Sequence, residues 1–443
     1  MSRRRQQLPT ESVTTVIENL SHDGRGVAHI DGKTTFIRGA LPQETVIFEY
    51  THQQSRFDEG KVLEVLKASP QRITPRCPHF GVCGGCNLQH LAPSAQIALK
   101  QDTLINHFTH IGKVQPETIV PPLQAEVWGY RRKARLGVKY VIKKQAVLVG
   151  FREQQGRFLA ELTRCDVLHP RIGERIMALR ELIGKLEGKQ QIAQIEVAID
   201  DEQAALVFRN LEPLSQSDRE ILSQFAKDNQ LFFYLQSGGI NTITPLYPEN
   251  LPLASLIYHL PQEELSFSFT PYDFTQVNTA INQQMVQQAL TWLTPQPTDR
   301  ILDLFCGLGN FTLPLAKRAN KVVGVEGDAH LLNRAEMNAH QQNIENIHYH
   351  IADLTKPDSN MPWMKSHYNK VLLDPPRSGA LEIIRALPFT GTQRIVYISC
   401  NPATLARDAG ELVHQKGFRL VQAGVMDMFP HTAHVESMAL FVR

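Results

Sequence analysis

Apolar and polar positions alternate in short runs over residues 8–69 of this chain. The runs are Thr14 to Ile17, Val27 to Ile30, Thr34 to Ile37, Thr45 to Tyr50 and Gly60 to Leu66. Turns carrying Asp23-Gly24, Gly26 and Asp31-Gly32 separate the first three. A period of two with glycine turns predicts strands, and about five of them predict a small closed barrel of the OB type. Such barrels often carry nucleic acid, and an interaction barrel without that role has the same pattern. Residues 70–75 form a linker. A polar helix over Ser94 to Phe108 follows, and the stretch 94–122 could pack on the last domain. Residues 127–265 mix strands, Ile192 to Ile199 and Ala204 to Phe208, with a helix over Glu174 to Leu186 that has apolar positions at Ile176, Leu179, Leu182 and Ile183.

From residue 266 the period switches between two and 3.6. Strands are predicted at Ile301 to Phe305, Val322 to Val325, Ile347 to Ile351, Lys370 to Leu373, Arg394 to Ile398, Arg419 to Val425 and Ser437 to Val442. Helices fill Thr312 to Arg318, Ala329 to Gln342, Glu382 to Ala386 and Pro402 to Gln415. The alternation predicts an α/β, Rossmann-like, doubly wound parallel sheet. Three domains are therefore expected: a barrel over 8–69, a central α+β domain over 70–265 and the α/β domain over 266–443.

Composition changes this picture little. The chain has 443 residues, 42% hydrophobic and 20% charged, with a formal net charge of +2, so any basic surface must be local. No apolar run approaches the roughly 18 residues of a membrane span. The basic start, Met1 to Gln6, has no apolar segment behind it and is not a signal peptide. A cytoplasmic monomer is expected, with no membrane and no protein partner implied. Thiols stay reduced there, so the six cysteines are expected to be metal ligands, catalysts or packing.

Candidate chemistry concentrates at the carboxyl ends of the last domain's strands, where open α/β sheets bind ligands. Asp303 to Phe311 contains Gly307-Leu308-Gly309, and Glu326 follows Asp303 by 23 residues. That spacing suits a carboxylate on ribose hydroxyls. Position 312 is threonine where a dinucleotide fingerprint wants a third glycine. Four strand-end acids, Asp303, Glu326, Asp353 and Asp374, would repel a pyrophosphate and attract a sulfonium and an ammonium. These acids decide for S-adenosylmethionine over NAD. Any one of them alone could simply cap a helix.

Cys400 ends an apolar strand just before Asn401-Pro402. Asp374-Pro375-Pro376 has the form found in methylases of exocyclic amines, yet Arg377 stands where those enzymes stack the base on an aromatic ring. A carbon target is the alternative. Carbon 5 of uracil becomes nucleophilic only after addition at carbon 6, which a thiolate can perform. A base must then remove the C5 proton. Glu436, in an apolar strand, is the candidate, with a salt bridge to a helix as the equal alternative. A buried, inert Cys400 is the competing reading for the thiol. Cys306, His431 and His434 are expected to be packing or surface residues.

Cys77, Cys83 and Cys86 lie within ten residues, wound by Gly81, Gly84 and Gly85, and Cys165 is the cysteine left to be a fourth ligand. Four thiolates suit zinc or an iron–sulfur cluster, and spacing does not choose. Trp128 to Lys144 holds seven basic residues and no acid. As a strand it sets Arg131, Lys133, Arg135, Lys139 and Lys143 on one face, and Ala134, Leu136, Val138, Tyr140 and Ile142 on the other. Arg131, Arg132, Lys133, Arg135 and Lys139 are candidate phosphate contacts; a lysine-protected edge strand is the alternative. Phe274 could stack a base or the adenine, and Gln276 could hydrogen-bond the cofactor.

Taken together, these pieces resemble the bacterial 23S ribosomal RNA uracil-C5 methyltransferases, a class I S-adenosylmethionine-dependent RNA methyltransferase family. The likeness rests on the barrel, which is similar to a TRAM domain, and on the Cys77/Cys83/Cys86/Cys165 set. It also rests on Phe274 to Asn278, Asp303 to Phe311, Asp374 to Arg377, Ser399 to Asp408, and Phe429 to Ser437. The resemblance implies a [4Fe-4S] cluster on the four cysteines. It implies S-adenosyl-L-methionine held by Gln276, Phe305, Asn310, Glu326, Asp353 and Asp374, with Cys400 as nucleophile and Glu436 as general base. Transfer RNA relatives lack barrel and cluster, which favours a 23S ribosomal RNA substrate. Methylation of another ribosomal or transfer RNA uridine, cytosine-C5 methylation, and a non-catalytic iron–sulfur RNA-binding factor are the ranked alternatives.

Overall fold

The structure, a computed structural model, describes residues 9, 11–252 and 256–443. The basic run Met1 to Gln6 lies outside them. The described chain gathers into two compact units. One holds residues up to Thr103 together with 152–157 and 429–434; the other holds 104–151, 158–428 and 435–443.

The first unit is built on β1 (Val13–Val16), β2 (Asn19–Leu20), β3 (Gly26–Ile30), β4 (Lys33–Arg38), β5 (Thr45–Gln53) and β6 (Phe57–Lys67). Their order is β1-β5-β6-β4-β3-β2. The sheet curls back on itself: the amide of Glu18, just after β1, donates to Val27 O in β3 at 2.9 Å. Inward positions Ile17, Ala28, Ile37, Ala40, Val46 and Phe48 fill the core, as the alternating pattern requires. Gly60 is needed where β6 crosses β5, because a Cβ there would lie 2.5 Å from the Phe48 ring. Buried Glu44 is satisfied by the Leu41 and Ser69 amides and by the Arg72 guanidinium, which fixes the chain leaving the sheet. His431 is buried here, and its carbonyl accepts from the Asn87 and Leu88 amides. Its role is packing.

The second unit contains two larger sheets and a hairpin. β7 (Thr118–Ile119) precedes β8 (Lys133–Val141), β9 (Ala146–Gly150), β10 (Ile192–Ile199), β11 (Ala204–Asn210), β12 (Phe232–Gln236) and β13 (Ile243–Tyr247). Strands β8 to β13 form one sheet in the order β13-β12-β11-β10-β8-β9. The hairpin is β14 (Leu256–Leu260) and β15 (Leu265–Phe269). The other sheet uses β16 (Arg300–Leu304), β17 (Lys321–Glu326), β18 (Ile347–Ile351), β19 (Lys370–Leu373), β20 (Arg394–Ser399), β21 (Arg419–Met426) and β22 (Glu436–Val442). Its order is β18-β17-β16-β19-β20-β22-β21-β7.

Five of these strands are parallel, as the alternation predicts. The expectation of a wholly parallel sheet is corrected at its end: β22 runs antiparallel to both β20 and β21 and lies between them. The reason is the short connection Asp427 to Val435, too short for the helix a parallel crossover needs. β7 adds a further strand, parallel to β21. The helix Thr279–Leu293, missing from the sequence reading, buries Ile281, Met285, Val286, Ala289 and Leu290. Asn278 caps it by accepting from the Ile281 amide at 3.3 Å. That cap and the spacing of Ile281, Met285 and Ala289 were the available signal.

Candidate active site

The crossing of β20 and β22 sets the site. In their register Ser399 faces Ser437 and Ile398 faces Met438. Cys400 follows the last residue of β20, and Glu436 is the first residue of β22, so each is one residue from the Ser399–Ser437 pair. Both side chains are half-buried. Asn401 then caps the helix Pro402–His414 through the Ala403 amide, with Pro402 at its first turn. So the strand stops at the thiol for a local reason.

Burial pushes the Cys400 thiol up to about 11, and the negative charges of Glu436 and then Asp374 push the same way, against Arg377. The thiol is therefore electrostatically linked to groups on three strand ends. The segment carrying Asp374 to Ala380 is held against the helix behind Cys400. Asn401 Nδ2 and Thr404 Oγ1 donate to Arg377 O, at 3.0 and 3.3 Å. Asp408 is wholly buried and accepts from Tyr397 Oη and the Ala380 amide, both at 2.7 Å, while pairing with Arg407. Asp408 lay inside the matched Ser399 to Asp408 stretch, but nothing in its spacing announced a clamp.

The acids predicted from sequence split into two kinds. Asp303 is fully buried at the end of β16. Its Oδ2 accepts from Thr312 Oγ1 at 2.6 Å, and its Oδ1 is buried with no partner. Burial, then Asp374 and Glu326, push its carboxyl up to about 7. Asp374 is likewise pushed up to about 7, by burial and by Glu326. Glu326, ending β17, accepts from the Gly307 amide at 3.0 Å and from the Gly327 and Asp328 amides. Asp353 is exposed, and its Oδ1 is taken up by the Thr355 amide and hydroxyl, which hold its carboxyl below the usual range.

The turn between β16 and the helix Thr312–Ala316 is backbone-driven. Phe305, Gly307 and Gly309 have φ of +63°, +54° and +97°, a region that costs a non-glycine residue roughly 1–2 kcal/mol. A Cβ at Gly309 would strike Leu313, whereas the space beside Gly307 is open, so the loop presents bare backbone there. Cys306 is buried beneath it and its thiol is pushed up by burial; it packs, as expected. Asn310 bonds to Asn282 and Tyr258. Gln276 is half-buried, two residues before the helix cap Asn278. An unpaired buried carboxylate oxygen, two further acids and an open glycine turn fit a cationic nucleoside.

The basic strand forms as predicted, with Ala134, Leu136 and Val138 buried. Much of its charge is spent inside the protein, however. Arg132 pairs with Asp201 at 2.6 Å and Arg135 with Glu196 at 2.5 Å. Lys133 donates to Asp273 O, and burial pulls its ammonium down to about 8. Arg131 Nε donates to Lys133 O at 3.0 Å. Lys139 is exposed. Ile142, assigned to the inner face, has left the strand and is exposed, because β8 ends at Val141 in a short 3-10 turn. Phe274 is 66% exposed on a loop pinned by buried Asp273, which accepts from the Thr270 amide and faces His330 and Arg334.

Cys77, Cys83 and Cys86 belong to the first unit and Cys165 to the second; all four are half-buried. The loop is wound by the Cys83 amide on His79 O and the Gly85 amide on Cys83 Sγ. Residues 152–154 run along it, with the Gly84 amide on Arg152 O and the Gln154 amide on Val82 O. Among the described residues, no group of three or more His, Cys, Asp and Glu side chains stands out as a metal site. The metal assignment therefore rests on the resemblance and on donor chemistry. No helix among the described residues is long and apolar enough to cross a membrane.

A chain of this design has close relatives. It is 53% identical over 99% of its length to the 23S rRNA (uracil(1939)-C(5))-methyltransferase RlmD of Methylococcus capsulatus, covering 99% of that protein. It is also 53% identical to the RlmD protein of Alkalilimnicola ehrlichii, across 100% of this chain and 99% of that one. The chain belongs to the 23S rRNA (uracil-C5)-methyltransferase family. In this methyltransferase, residues 257–443 match the family model described as tRNA (Uracil-5-)-methyltransferase. The fold is that of the tRNA (uracil-54, C5)-methyltransferase of Pyrococcus abyssi, solved with S-adenosyl-L-homocysteine. The TM-score is 0.74 at 22% identity, covering 97% of this methyltransferase and all of that chain.

Proposed function

We propose that this chain transfers a methyl group from S-adenosylmethionine to carbon 5 of a uridine in 23S ribosomal RNA, the position equivalent to uracil 1939 for which its relatives are named. The observation that supports the chemistry is the Ser399–Ser437 pair, one residue short of Cys400 and one residue past Glu436, together with the influence of the Glu436 charge on the Cys400 thiol. The donor, when bound, supplies an electrophilic methyl group. Cys400 Sγ adds to carbon 6 of the uracil, and the electron pair of the C5–C6 double bond becomes available at carbon 5. After carbon 5 is methylated, Glu436 takes the C5 proton, the double bond reforms and the thiolate leaves. Asp374 and Glu436 disfavour the thiolate in the empty site, and a cationic donor offsets that charge. Asp303, Glu326 and Asp374 are proposed to bind the donor together with Gln276, Phe305 and Asn310. For Asp353 the proposal is a contact through its remaining oxygen.

The target must leave its stack to reach a half-buried thiol. Exposed Phe274 is proposed to stack an RNA base, and Arg131 and Lys139 to meet phosphates. Arg131, Arg132, Lys133 and Arg135 all have internal partners, which contact with phosphates would have to replace or share. The curled N-terminal sheet is proposed to be a TRAM-like RNA-binding module. Cys77, Cys83 and Cys86, with Cys165 as the fourth ligand expected from sequence, are proposed to hold a [4Fe-4S] cluster. The protein would work in the cytoplasm as a monomer. Mass mapping of 23S RNA from cells with and without the protein tests the activity. The expected result is loss of one 5-methyluridine; an unchanged methylation pattern would refute it. Absorbance of anaerobically purified protein tests the cluster.

A further inference from the structure

The loop proposed to hold the donor is fastened from one side by residues that no assignment so far includes. Asn310 and Asn282 form a reciprocal amide pair: Asn282 Nδ2 donates to Asn310 Oδ1 at 3.0 Å, and Asn310 Nδ2 donates to Asn282 Oδ1 at 2.9 Å. Tyr258 Oη donates to the same Asn310 Oδ1 at 3.0 Å. Asn282 is 3% exposed and Tyr258 8%, so these bonds lie in a low-dielectric setting where a lost partner is costly. Tyr258 is itself fixed by stacking on Phe267, with centroids 4.8 Å apart and planes 5° apart.

Position gives the network its meaning. Asn282 stands in the first turn of the helix Thr279–Leu293, whose amide bonds back to Asn278 O. Gln276 is two residues before that cap. Asn310 follows Gly309 in a turn with three left-handed residues between 305 and 309. The turn carries one internal bond, from the Gly309 amide to Cys306 O, and Glu326 accepts from the Gly307 amide; the side chain of Asn310 is held by Asn282 and Tyr258. The amide pair therefore ties the first turn of the helix that follows Gln276 to the glycine turn.

We propose that Asn282 and Tyr258 are positioning residues for the methyl donor, acting through Asn310 to hold the Phe305 to Asn310 turn in its binding shape. Neither touches the reacting atoms. The inference rests on the reading of that turn as the donor site. Preorganisation of this kind acts on affinity for the donor and leaves the chemical step alone.

Isothermal titration with S-adenosylhomocysteine tests it on the full-length protein, alongside steady-state kinetics. Asn282→Ala should weaken binding about 10-fold, the usual scale for a buried hydrogen bond left unmade. The KM for S-adenosylmethionine should rise in parallel, while kcat and the KM for RNA stay within about 3-fold. Tyr258→Phe keeps the ring stack and removes one donor, so it should show a smaller loss in the same direction. It also serves if Asn282→Ala does not fold. Wild-type affinity in a folded variant overturns the proposal, and so does a fall in kcat or RNA affinity as large as the loss for the donor. If the unaltered protein fails to bind S-adenosylhomocysteine, the donor-site reading itself is what has failed.

Discussion

The two halves of the eight-stranded sheet do different work. From β18 to β20 every strand is parallel, and the carboxyl ends carry Asp303, Glu326 and Asp374 beside an open glycine turn. That half gathers negative charge at its strand ends. At the other end the direction reverses. Because β22 runs antiparallel to β20, the start of one strand meets the end of the other, and Glu436 and Cys400 each adjoin the Ser399–Ser437 pair. A parallel neighbour would have put the start of β22 at the far edge of the sheet. The parallel half thus offers a place to hold a cation, and the single reversed strand brings the carboxylate proposed as base to the same end of the sheet as the thiol proposed as nucleophile.

Replacing each half's key residue should separate the two. Cys400→Ala should lower methylation by about 10⁴-fold or more, as loss of a covalent nucleophile does, while S-adenosylhomocysteine binds as before in a titration. Loss of binding would mean the halves are not distinct. Asp303→Asn should do the reverse, weakening S-adenosylmethionine about 10-fold or more through the lost charge with Cys400 still able to react. The same half should titrate. With Asp303 and Asp374 pushed up to about 7, both carboxyls hold protons below that pH and have no charge to offer a cation. Affinity for S-adenosylmethionine should therefore rise as pH rises through about 7; a flat profile from pH 5 to 8 would break the link between charge and binding. The smallest expected effect joins the halves. Alkylation of Cys400 in the empty enzyme should accelerate toward pH 11, and Asp374→Asn should move that rise downward, by about a unit or less. An unmoved profile would show that the crevice charge does not reach the thiol.

Sequence pattern located most strands of the N-terminal sheet and of the eight-stranded sheet, because strand alternation and strand-end chemistry are local. Cys400, Glu436 and the acids could be named for the same reason. The reversal of β22 could not be seen, since strand direction depends on the path of the nine residues from Asp427 to Val435, not on the strand's own composition. The clamp at Asp408 and the Asn282–Asn310–Tyr258 network were also invisible, as each joins residues distant in the chain. The basic strand misled in the opposite way. Its charges are visible in sequence, but their partners Asp201 and Glu196 lie elsewhere, so local charge overstated the free cationic surface. Asp353 is a milder case, an acid at a strand end with one oxygen already committed to Thr355.

The central claim is that Cys400 and Glu436 act in sequence on one uracil. Glu436→Gln should still allow addition at carbon 6 and methylation at carbon 5, but proton removal should slow by about 10²–10⁴-fold. Incubating that variant with S-adenosylmethionine and a 23S RNA fragment carrying the target, followed by peptide mass mapping, reads the outcome directly. The account predicts a methylated RNA fragment covalently attached to the peptide containing Cys400. Free turnover by the variant, or an adduct on any other cysteine, would contradict it.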